Sequence, residues 1–166
     1  MSAKLMTLYN QSDPVNVIEG VNDEAIWNKH REELIRYGSV LVGPADAEDL
    51  LSVVVVRILN RRSLADLDDP RSYLYRSVTN EARSLVRWRS KRLSRTVTTS
   101  LPADVEPEVL EAVLELPNRQ RAAVYLAYWR DLPMVEIAQL MGCSPGSVKR
   151  YLHVAKKKLR EVLEDE

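Results

Sequence analysis

Two short helical patterns separated by a glycine constrain this chain more than any other feature. The first covers residues 134–141, where Glu136 and Gln139 are predicted to face water. Its apolar positions are Val135, Ile137 and Leu140. Gly142 follows, and glycine readily adopts the left-handed conformation at which many helices end. Residues 134–142 therefore predict one short helix and its stop.

The second pattern begins with a helix-start signal. Ser144 is a favourable N-cap residue, and Pro145 suits the first helical position, where a missing backbone N–H leaves no hydrogen bond unmade. An apolar stripe then recurs at helical spacing, at Val148, Leu152, Ala155, Leu159 and Val162. Between positions 149 and 160 the basic residues are Lys149, Arg150, Lys156, Lys157, Lys158 and Arg160, without an acid among them.

Two short helices, a glycine turn and a basic second helix are typical of a helix-turn-helix, whose second helix enters a DNA major groove. The alternative is an amphipathic surface helix whose lysines are merely solvated. We favour DNA binding because the spacing, turn glycine, cap and charge all agree. Cys143 is then expected to be a small packed turn residue, and His153 to lie on the outer side of the recognition helix.

The same segment resembles a known family. Residues 116–159 are similar to region 4 of bacterial sigma-70-type factors, especially the small extracytoplasmic-function group. The matching residues are Leu116, Pro117, Arg121, Glu136, Ile137, Ala138, Gly142, Cys143, Ser144, Gly146, Ser147, Val148, Lys149 and Ala155. Response regulators of the LuxR type end in a related helix-turn-helix, so this part of the chain alone leaves the family open.

Composition limits the class of protein. The 24 basic and 24 acidic residues balance, so any DNA binding must come from local clusters. No apolar run approaches the roughly 20 residues of a membrane helix, and the N-terminus lacks the apolar core of a signal peptide. With one cysteine, an internal disulfide is excluded and a reducing compartment is indicated. We expect a cytoplasmic protein without membrane insertion.

The N-terminal half is also predicted to be helical. Residues 1–22 are polar and are predicted to form a flexible lead-in. A helical pattern begins near Ala25, and both Gly38 and the Gly43–Pro44 pair are predicted to interrupt it.

A valine-rich segment follows, and Asp46 is predicted to cap its helix. Residues 50–59 contain four consecutive valines, which favour a strand by propensity. Their apolar residues nevertheless fall in pairs four apart, and no second strand candidate is available for pairing. We therefore predict a helix here.

A second basic cluster lies at the far end of a helix that Pro70 opens. Its basic residues are Arg83, Arg87, Arg89, Lys91, Arg92 and Arg95. Tyr73, Tyr75 and Trp88 are interleaved with this cluster or precede it. Arginines beside aromatic rings suit phosphate neutralisation and base stacking on separated strands. The alternative is a solvated helix end whose rings lie in the core, and the residues alone do not decide between the two.

This half resembles sigma region 2. Residues 47–50 match the segment that docks on the clamp helices of RNA polymerase, although valines follow where the family usually has polar residues. The polymerase contacts implied are Asp46, Glu48 and Asp49. The residues matching the element that reads and opens the −10 box imply DNA contacts for Tyr73, Tyr75, Arg76, Asn80, Arg83 and Arg87. Region 4 implies −35 contacts for Ser144, Ser147, Lys149, Arg150, His153, Lys156 and Lys157.

Residues 96–107 are rich in hydroxyl side chains and contain two prolines, which predicts a linker. Fully extended, a dozen residues reach about 40 Å at roughly 3.3 Å each. We predict an all-α chain with a flexible N-terminus (1–22), a sigma region 2-like helical domain (23–95), a flexible linker (96–107) and a sigma region 4-like helix-turn-helix domain (108–166).

The resemblance implies a sigma factor that binds core RNA polymerase and directs promoter-specific initiation on promoter DNA. An anti-sigma factor is a further partner that the same resemblance suggests. Two alternatives remain open: a stand-alone helix-turn-helix regulator, and an interaction protein that uses these helices only to bind a partner. We predict no enzymatic activity, metal or cofactor, because Cys143, His30 and His153 are too few for structural zinc and no glycine-rich phosphate loop is present.

Overall fold

The structure of the protein is a computed structural model that describes residues 14–90 and 107–164, with side chains over 22–87, 108–109 and 111–162. The elements are α1 (Pro14–Val42), α2 (Pro44–Leu59), α3 (Pro70–Ser90), α4 (Pro107–Leu114), α5 (Asn118–Val124), a π-helical turn (Tyr125–Trp129), α6 (Met134–Met141) and α7 (Pro145–Glu164). The predicted all-α class is confirmed. The predicted linker lies outside the described residues except for position 107, which begins α4.

The first helix is longer than predicted. It begins at Pro14, inside the segment predicted as a lead-in, and continues through Gly38 to Val42. The predicted interruption at Gly38 is wrong, because this glycine serves close packing: a Cβ there would lie 3.1 Å from Leu51 Cδ1 on α2. The break at Gly43 is confirmed, and its φ of 93° is one that residues with a side chain rarely adopt.

The valine-rich segment is helical, as predicted. α2 begins at Pro44 with Gly43 in the N-cap position, so Asp46 lies in the first turn and does not cap the helix. The buried side of α2 consists of Ala47, Leu50, Leu51, Val54 and Ile58. Because that side packs on α1 and α3, tertiary packing outweighs the strand propensity of the valines.

The helix-turn-helix has its predicted turn. Gly142 ends α6 in the left-handed conformation (φ 60°), and the Ser147 N–H donates to Ser144 Oγ at 3.1 Å at the start of α7. Val135, however, is 62% exposed and does not belong to the apolar side. The buried residues of α6 are Ile137, Ala138, Leu140 and Met141.

The N-terminal half (α1–α3) and the C-terminal half (α4–α7) share a hydrophobic core. α6 packs along α3, and α5 contacts both α1 and α3. At the centre, the Tyr37 ring lies 4.8 Å from that of Tyr75 and 6.0 Å from that of Tyr125, measured between centroids. A separate small cluster within the C-terminal half joins Val113, Leu116, Val124 and Ala155.

A buried hydroxyl relay links α1 to α3. Thr79 Oγ1 donates to the Tyr75 carbonyl at 2.8 Å and therefore accepts the hydrogen bond from the Tyr37 hydroxyl, also 2.8 Å away. Burial raises the pKa of Tyr37, so the phenol remains a neutral donor.

We expect Thr79→Val to lower the free energy of unfolding by about 1–3 kcal/mol, because the buried Tyr37 hydroxyl loses its acceptor. Urea denaturation followed by helical circular dichroism measures this loss. In a Tyr37→Phe background the same change should cost markedly less, since no hydroxyl is then left unpaired. An equal cost in both backgrounds would show that the hydrogen bond is not the cause.

Candidate nucleic-acid and polymerase interface

The recognition helix α7 is anchored on one side and open on the other. Val148 and Ala155 of the predicted apolar stripe are fully buried, Leu152 and Leu159 are partly buried, and Val162 is exposed. Of the residues predicted to contact the −35 element, Ser147 is partly buried and the others are exposed: Ser144, Lys149, Arg150, His153, Lys156 and Lys157. The fold thus presents the predicted set on an accessible helix surface.

Several of these side chains are already positioned by neighbours. Ser144 Oγ lies 3.0 Å from Ser147 Oγ, in addition to its capping role. The Lys156 ammonium lies 5.4 Å from the ring centroid of Tyr128, a cation–π distance. Tyr128 is 55% exposed and lies beside the basic surface. Lys157 forms only an exposed pair with Glu161, which contributes little to stability.

A cavity of about 210 Å³ lies between α2 and α3. It is lined by Val54, Arg57, Ile58, Arg61, Tyr73, Ser77, Asn80, Glu81 and Ser84. Two residues predicted for −10 recognition, Tyr73 and Asn80, therefore border the same cavity. The volume is below the roughly 300–1,000 Å³ of pockets for drug-sized ligands.

The cavity also contains residues that the sequence analysis did not single out. Arg57 donates to Glu81, and this ion pair forms part of the wall between the two helices. Arg61 lines the cavity as well, and the Arg62 guanidinium lies 5.6 Å from the Tyr73 ring centroid. The sequence signal for this site was the cluster of arginines at positions 57, 61 and 62.

Tyr75 is not part of this cavity. Its side chain is fully buried beside Tyr37, and burial raises its pKa. The prediction that Tyr75 lies near an unpaired base is therefore wrong for this arrangement of the chain. The helical period explains the difference: Tyr75 shares a buried stripe with Val78 and Ala82, whereas Tyr73 shares its side of α3 with Asn80.

The remaining −10 candidates form an exposed stripe on α3. They are Arg76, Arg83 and Arg87, all exposed, and they adjoin the side that carries Asn80. The stem of Arg76 also crosses Gly142, where a Cβ would come within 2.6 Å of Arg76 Cδ. The other basic residues of this cluster, Arg89, Lys91, Arg92 and Arg95, have no described side chain.

The polymerase-contact candidates lie at the start of α2. Glu48 and Asp49 are exposed and Asp46 is partly buried. Glu48 pairs with Arg31 at 3.3 Å, but both side chains are at least half exposed, so the pair is weak. Beside these acids, a hollow of about 140 Å³ is lined by Asp46, Asp49, Leu50, Val53, Glu81 and Leu85. The surface therefore combines acidic and apolar side chains.

The described part of the chain contains neither a metal-binding cluster nor a membrane-spanning helix. No group of three or more histidine, cysteine, aspartate or glutamate side chains there could hold a metal ion. None of the helices in that part is long and apolar enough to cross a bilayer. Cys143 is a partly buried free thiol in the helix-turn-helix turn, and burial raises its pKa.

The fold and this geometry define a helical DNA-binding protein of the helix-turn-helix class. Comparison with known proteins is more specific. Residues 107–159 match the family model described as Sigma-70, region 4. The RNA polymerase sigma-E factor of Streptomyces antibioticus is 33% identical over 153 residues, covering 85% of this chain and 84% of the relative. SigL of Mycobacterium tuberculosis, an ECF RNA polymerase sigma factor, is 28% identical over 156 residues (85% and 88% of the two chains).

The chain belongs to the sigma-70 family of RNA polymerase sigma factors, in the small extracytoplasmic-function (ECF) group. It is a sigma factor that directs promoter-specific transcription. Among solved structures, the sigma factor RpoE from Bartonella quintana, in complex with the anti-sigma factor NepR, shares the fold. That likeness has a TM-score of 0.64 at 19% identity and covers 85% of this chain and 96% of the other.

Proposed function

We propose that three surfaces divide the work of this sigma factor. α7 reads the −35 element, α3 with the adjoining cavity holds the opened −10 element, and the start of α2 binds core RNA polymerase. The observation that carries the proposal is the anchored recognition helix, which buries Val148 and Ala155 and leaves its basic residues accessible. Because the relatives match over both halves, a stand-alone regulator built on the helix-turn-helix alone is not favoured.

At the −35 element, α7 enters the major groove with its N-terminal residues nearest the base edges. Lys149 and Arg150 lie in the first turns of α7, where their donors can reach guanine acceptors. Lys156 and Lys157 lie farther along the helix, where they bind phosphates and fix the register of the helix on the DNA. The cation–π contact with Tyr128 holds Lys156 at the edge of this surface.

We expect Lys149→Ala combined with Arg150→Ala to weaken −35-dependent initiation by about 10–100-fold, as the loss of one good base contact alone costs about 1–3 kcal/mol. Binding to core polymerase should be unchanged. Abortive transcription from promoters with and without a −35 element measures the −35-dependent initiation. Co-elution measures the binding to core polymerase. Lys29→Ala with Arg36→Ala removes the same charge from exposed positions on α1 and serves as the control. Loss of polymerase binding in the α7 variant would contradict the division of labour.

At the −10 element, the cavity between α2 and α3 offers one aromatic ring and several polar side chains to an unpaired base. Tyr73 can stack, Asn80 can donate and accept hydrogen bonds, and the arginine stripe on α3 can follow the backbone of the separated strand. Opening the duplex then requires no catalysis, because preferential binding of unpaired bases shifts the equilibrium. We accordingly propose that the chain has no enzymatic activity of its own.

We expect Asn80→Ala and Tyr73→Leu each to weaken holoenzyme binding to a promoter fragment with an already unpaired −10 element by about 1–3 kcal/mol, the usual scale of a stacked base. Equilibrium titration with a fluorescent fragment measures the affinity. Asn28→Ala, an exposed change on α1, is the matched control for Asn80→Ala. Unchanged affinity in both cavity variants would move the −10 site elsewhere.

For polymerase binding, the start of α2 combines exposed acids with exposed apolar side chains. Glu48 and Asp49 can pair with basic groups of a partner, while Val53 and Val56, which are 45% and 57% exposed, can bury apolar surface. The valines thus give the docking surface a larger apolar share than the polar residues usual in the family.

We expect Glu48→Lys with Asp49→Lys to weaken association with core polymerase at least tenfold, because two favourable charges become repulsive. Competition against a labelled sigma factor measures the affinity. Glu24→Lys with Glu32→Lys reverses the same number of exposed charges on α1 and should leave the affinity unchanged. An unaltered affinity in the α2 variant would place the docking surface on another part of the chain.

The compartment and the further partners of the protein follow from its assignment as a sigma factor. We propose that the protein acts in the cytoplasm, where core polymerase and promoter DNA are found, and that residues 96–107 link the two halves as domains. The complex of RpoE with NepR supports the hypothesis that an anti-sigma factor also binds this chain.

A further inference from the structure

A single aspartate on α1 holds the α2–α3 loop, residues 60–69. Asp23 Oδ1 accepts a hydrogen bond from Ser63 Oγ at 2.6 Å and another from the Ala65 N–H at 3.1 Å. The Ala65 N–H also donates to Ser63 Oγ at 3.1 Å, so the three groups close a small ring of hydrogen bonds. Asp23 and Ser63 are partly buried, and hydrogen bonds to a carboxylate are stronger than those between neutral groups. Asp23 is therefore a firm anchor for a segment that lies far from it in the sequence.

The middle of the α2–α3 loop is also fixed by the core. Leu64, which lies between the two residues that donate to Asp23, is fully buried. The Leu67 N–H donates to the Leu64 carbonyl at 3.2 Å, and the Leu67 side chain packs against the same core. Loops with few buried contacts are mobile, whereas this one has both an apolar and a charged anchor.

The end of the loop is fixed at the start of α3. Asp69 caps this helix by accepting from the Ser72 N–H at 3.0 Å, and its hydrogen bonds with Ser72 lower the pKa of the Asp69 carboxyl. In the first turn, Arg71 donates to both oxygens of Glu33 on α1, at 3.1 and 3.3 Å, and to Glu136 on α6 at 2.6 Å. Glu136 was predicted to face water; that prediction is wrong, because its carboxylate pairs with Arg71. The loop therefore enters α3 at a fixed position.

The beginning of the loop carries two arginines beside the cavity between α2 and α3. The N–H groups of Arg61 and Arg62 both donate to the Ile58 carbonyl, at 2.9 and 3.0 Å. Arg61 lines the cavity, and the Arg62 guanidinium lies 5.6 Å from the ring centroid of Tyr73, which lines it too. The contact with Asp23 begins at the next residue of the chain. The backbone of the two arginines is thus held between α2 on one side and Asp23 on the other.

A loop held in this way alters binding without touching the ligand. Asp23 does not line the cavity, and the side chains of Arg61 and Arg62 are exposed, so their place beside the cavity depends on the loop backbone. Each residue whose backbone must be ordered on binding weakens that binding by roughly tenfold. A loop that is already ordered avoids this loss.

We infer that Asp23 is a positioning residue for the −10 element: it fixes the α2–α3 loop so that Arg61 and Arg62 flank the unpaired nucleotide. The two arginines neutralise phosphates of the separated strand, and Asp23 acts only through them. This inference rests on the proposed function, because it concerns the cavity assigned there to the opened −10 element.

The test compares three substitutions in the holoenzyme. Asp23→Ala removes both hydrogen bonds, whereas Asp23→Asn loses the same charge and keeps an amide oxygen for the two donors. Glu24→Ala is the matched control, since it removes one acid from the next position on α1, which is exposed. Equilibrium titration with a fluorescent promoter fragment whose −10 element is unpaired measures the affinity. Co-elution with core polymerase and circular dichroism verify that each variant assembles and folds.

Coupling to the arginines distinguishes positioning from a general loss of stability. We expect Asp23→Ala to weaken binding of the unpaired fragment about tenfold, Asp23→Asn by less than about threefold and Glu24→Ala not at all. When Arg61→Ala and Arg62→Ala are already present, adding Asp23→Ala should change the affinity by less than about twofold, because the groups through which Asp23 acts are gone. Affinity for core polymerase should be the same in every variant.

The outcomes separate the positioning role from the proposed function. Unchanged affinity in Asp23→Ala, with Tyr73→Leu still weakening binding, would overturn the positioning role and leave the −10 assignment in place. An equal effect of Asp23→Ala with and without the two arginines would overturn it as well. Unchanged affinity in both Asp23→Ala and Tyr73→Leu would overturn the −10 assignment itself.

A second variant covers the case in which Asp23→Ala does not fold. Ser63→Ala removes one of the two hydrogen bonds to Asp23 and leaves the bond from the Ala65 N–H in place. We expect it to weaken binding of the unpaired fragment about threefold, the scale of one hydrogen bond. Unchanged affinity in this variant would likewise contradict the positioning role.

Discussion

A partly buried guanidinium at the junction of the two halves ties the ends of two helices to a third. Arg121 on α5 donates to the carbonyls of Val40 and Leu41 at the end of α1, at 3.1 and 3.2 Å, and to those of Leu114 and Leu116 around the end of α4. Carbonyls at helix C-termini have no partner within the helix and carry partial negative charge, so a cation satisfies both needs. Burial lowers the pKa of Arg121 to about 10, which still leaves it charged at neutral pH.

Helix α3 shows how one amphipathic element can serve three surfaces. Its buried stripe, which contains Tyr75 and Val78, joins the shared core; a second side, with Tyr73 and Asn80, borders the cavity; and a third carries exposed arginines. At 3.6 residues per turn these stripes lie at different angles around the axis, so neighbouring tyrosines face different surroundings. Small shifts of α3 would affect the cavity and the junction together.

Local chemistry made much of this structure predictable from the sequence. The Gly142 stop, the Ser144 cap and the helical period of the valine segment depend on neighbours within a few residues, and all three appear as predicted. Gly38 was misread because a glycine permits either a break or close helix packing, and only the partner helix decides. The burial of Tyr75 follows the apolar period of α3, whereas the pairing of Glu136 depends on a contact between distant halves, which periodicity along one helix does not contain.

The junction between the two halves combines polar and aromatic contacts. Ion pairs and arginine–carbonyl bonds can be exchanged for water on separation, whereas exposing a large apolar surface would favour aggregation. The aromatic centre around Tyr37 and Tyr125 nevertheless opposes opening, because its burial is lost when the halves part. The junction is therefore held by buried aromatic contacts together with ion pairs and arginine–carbonyl bonds.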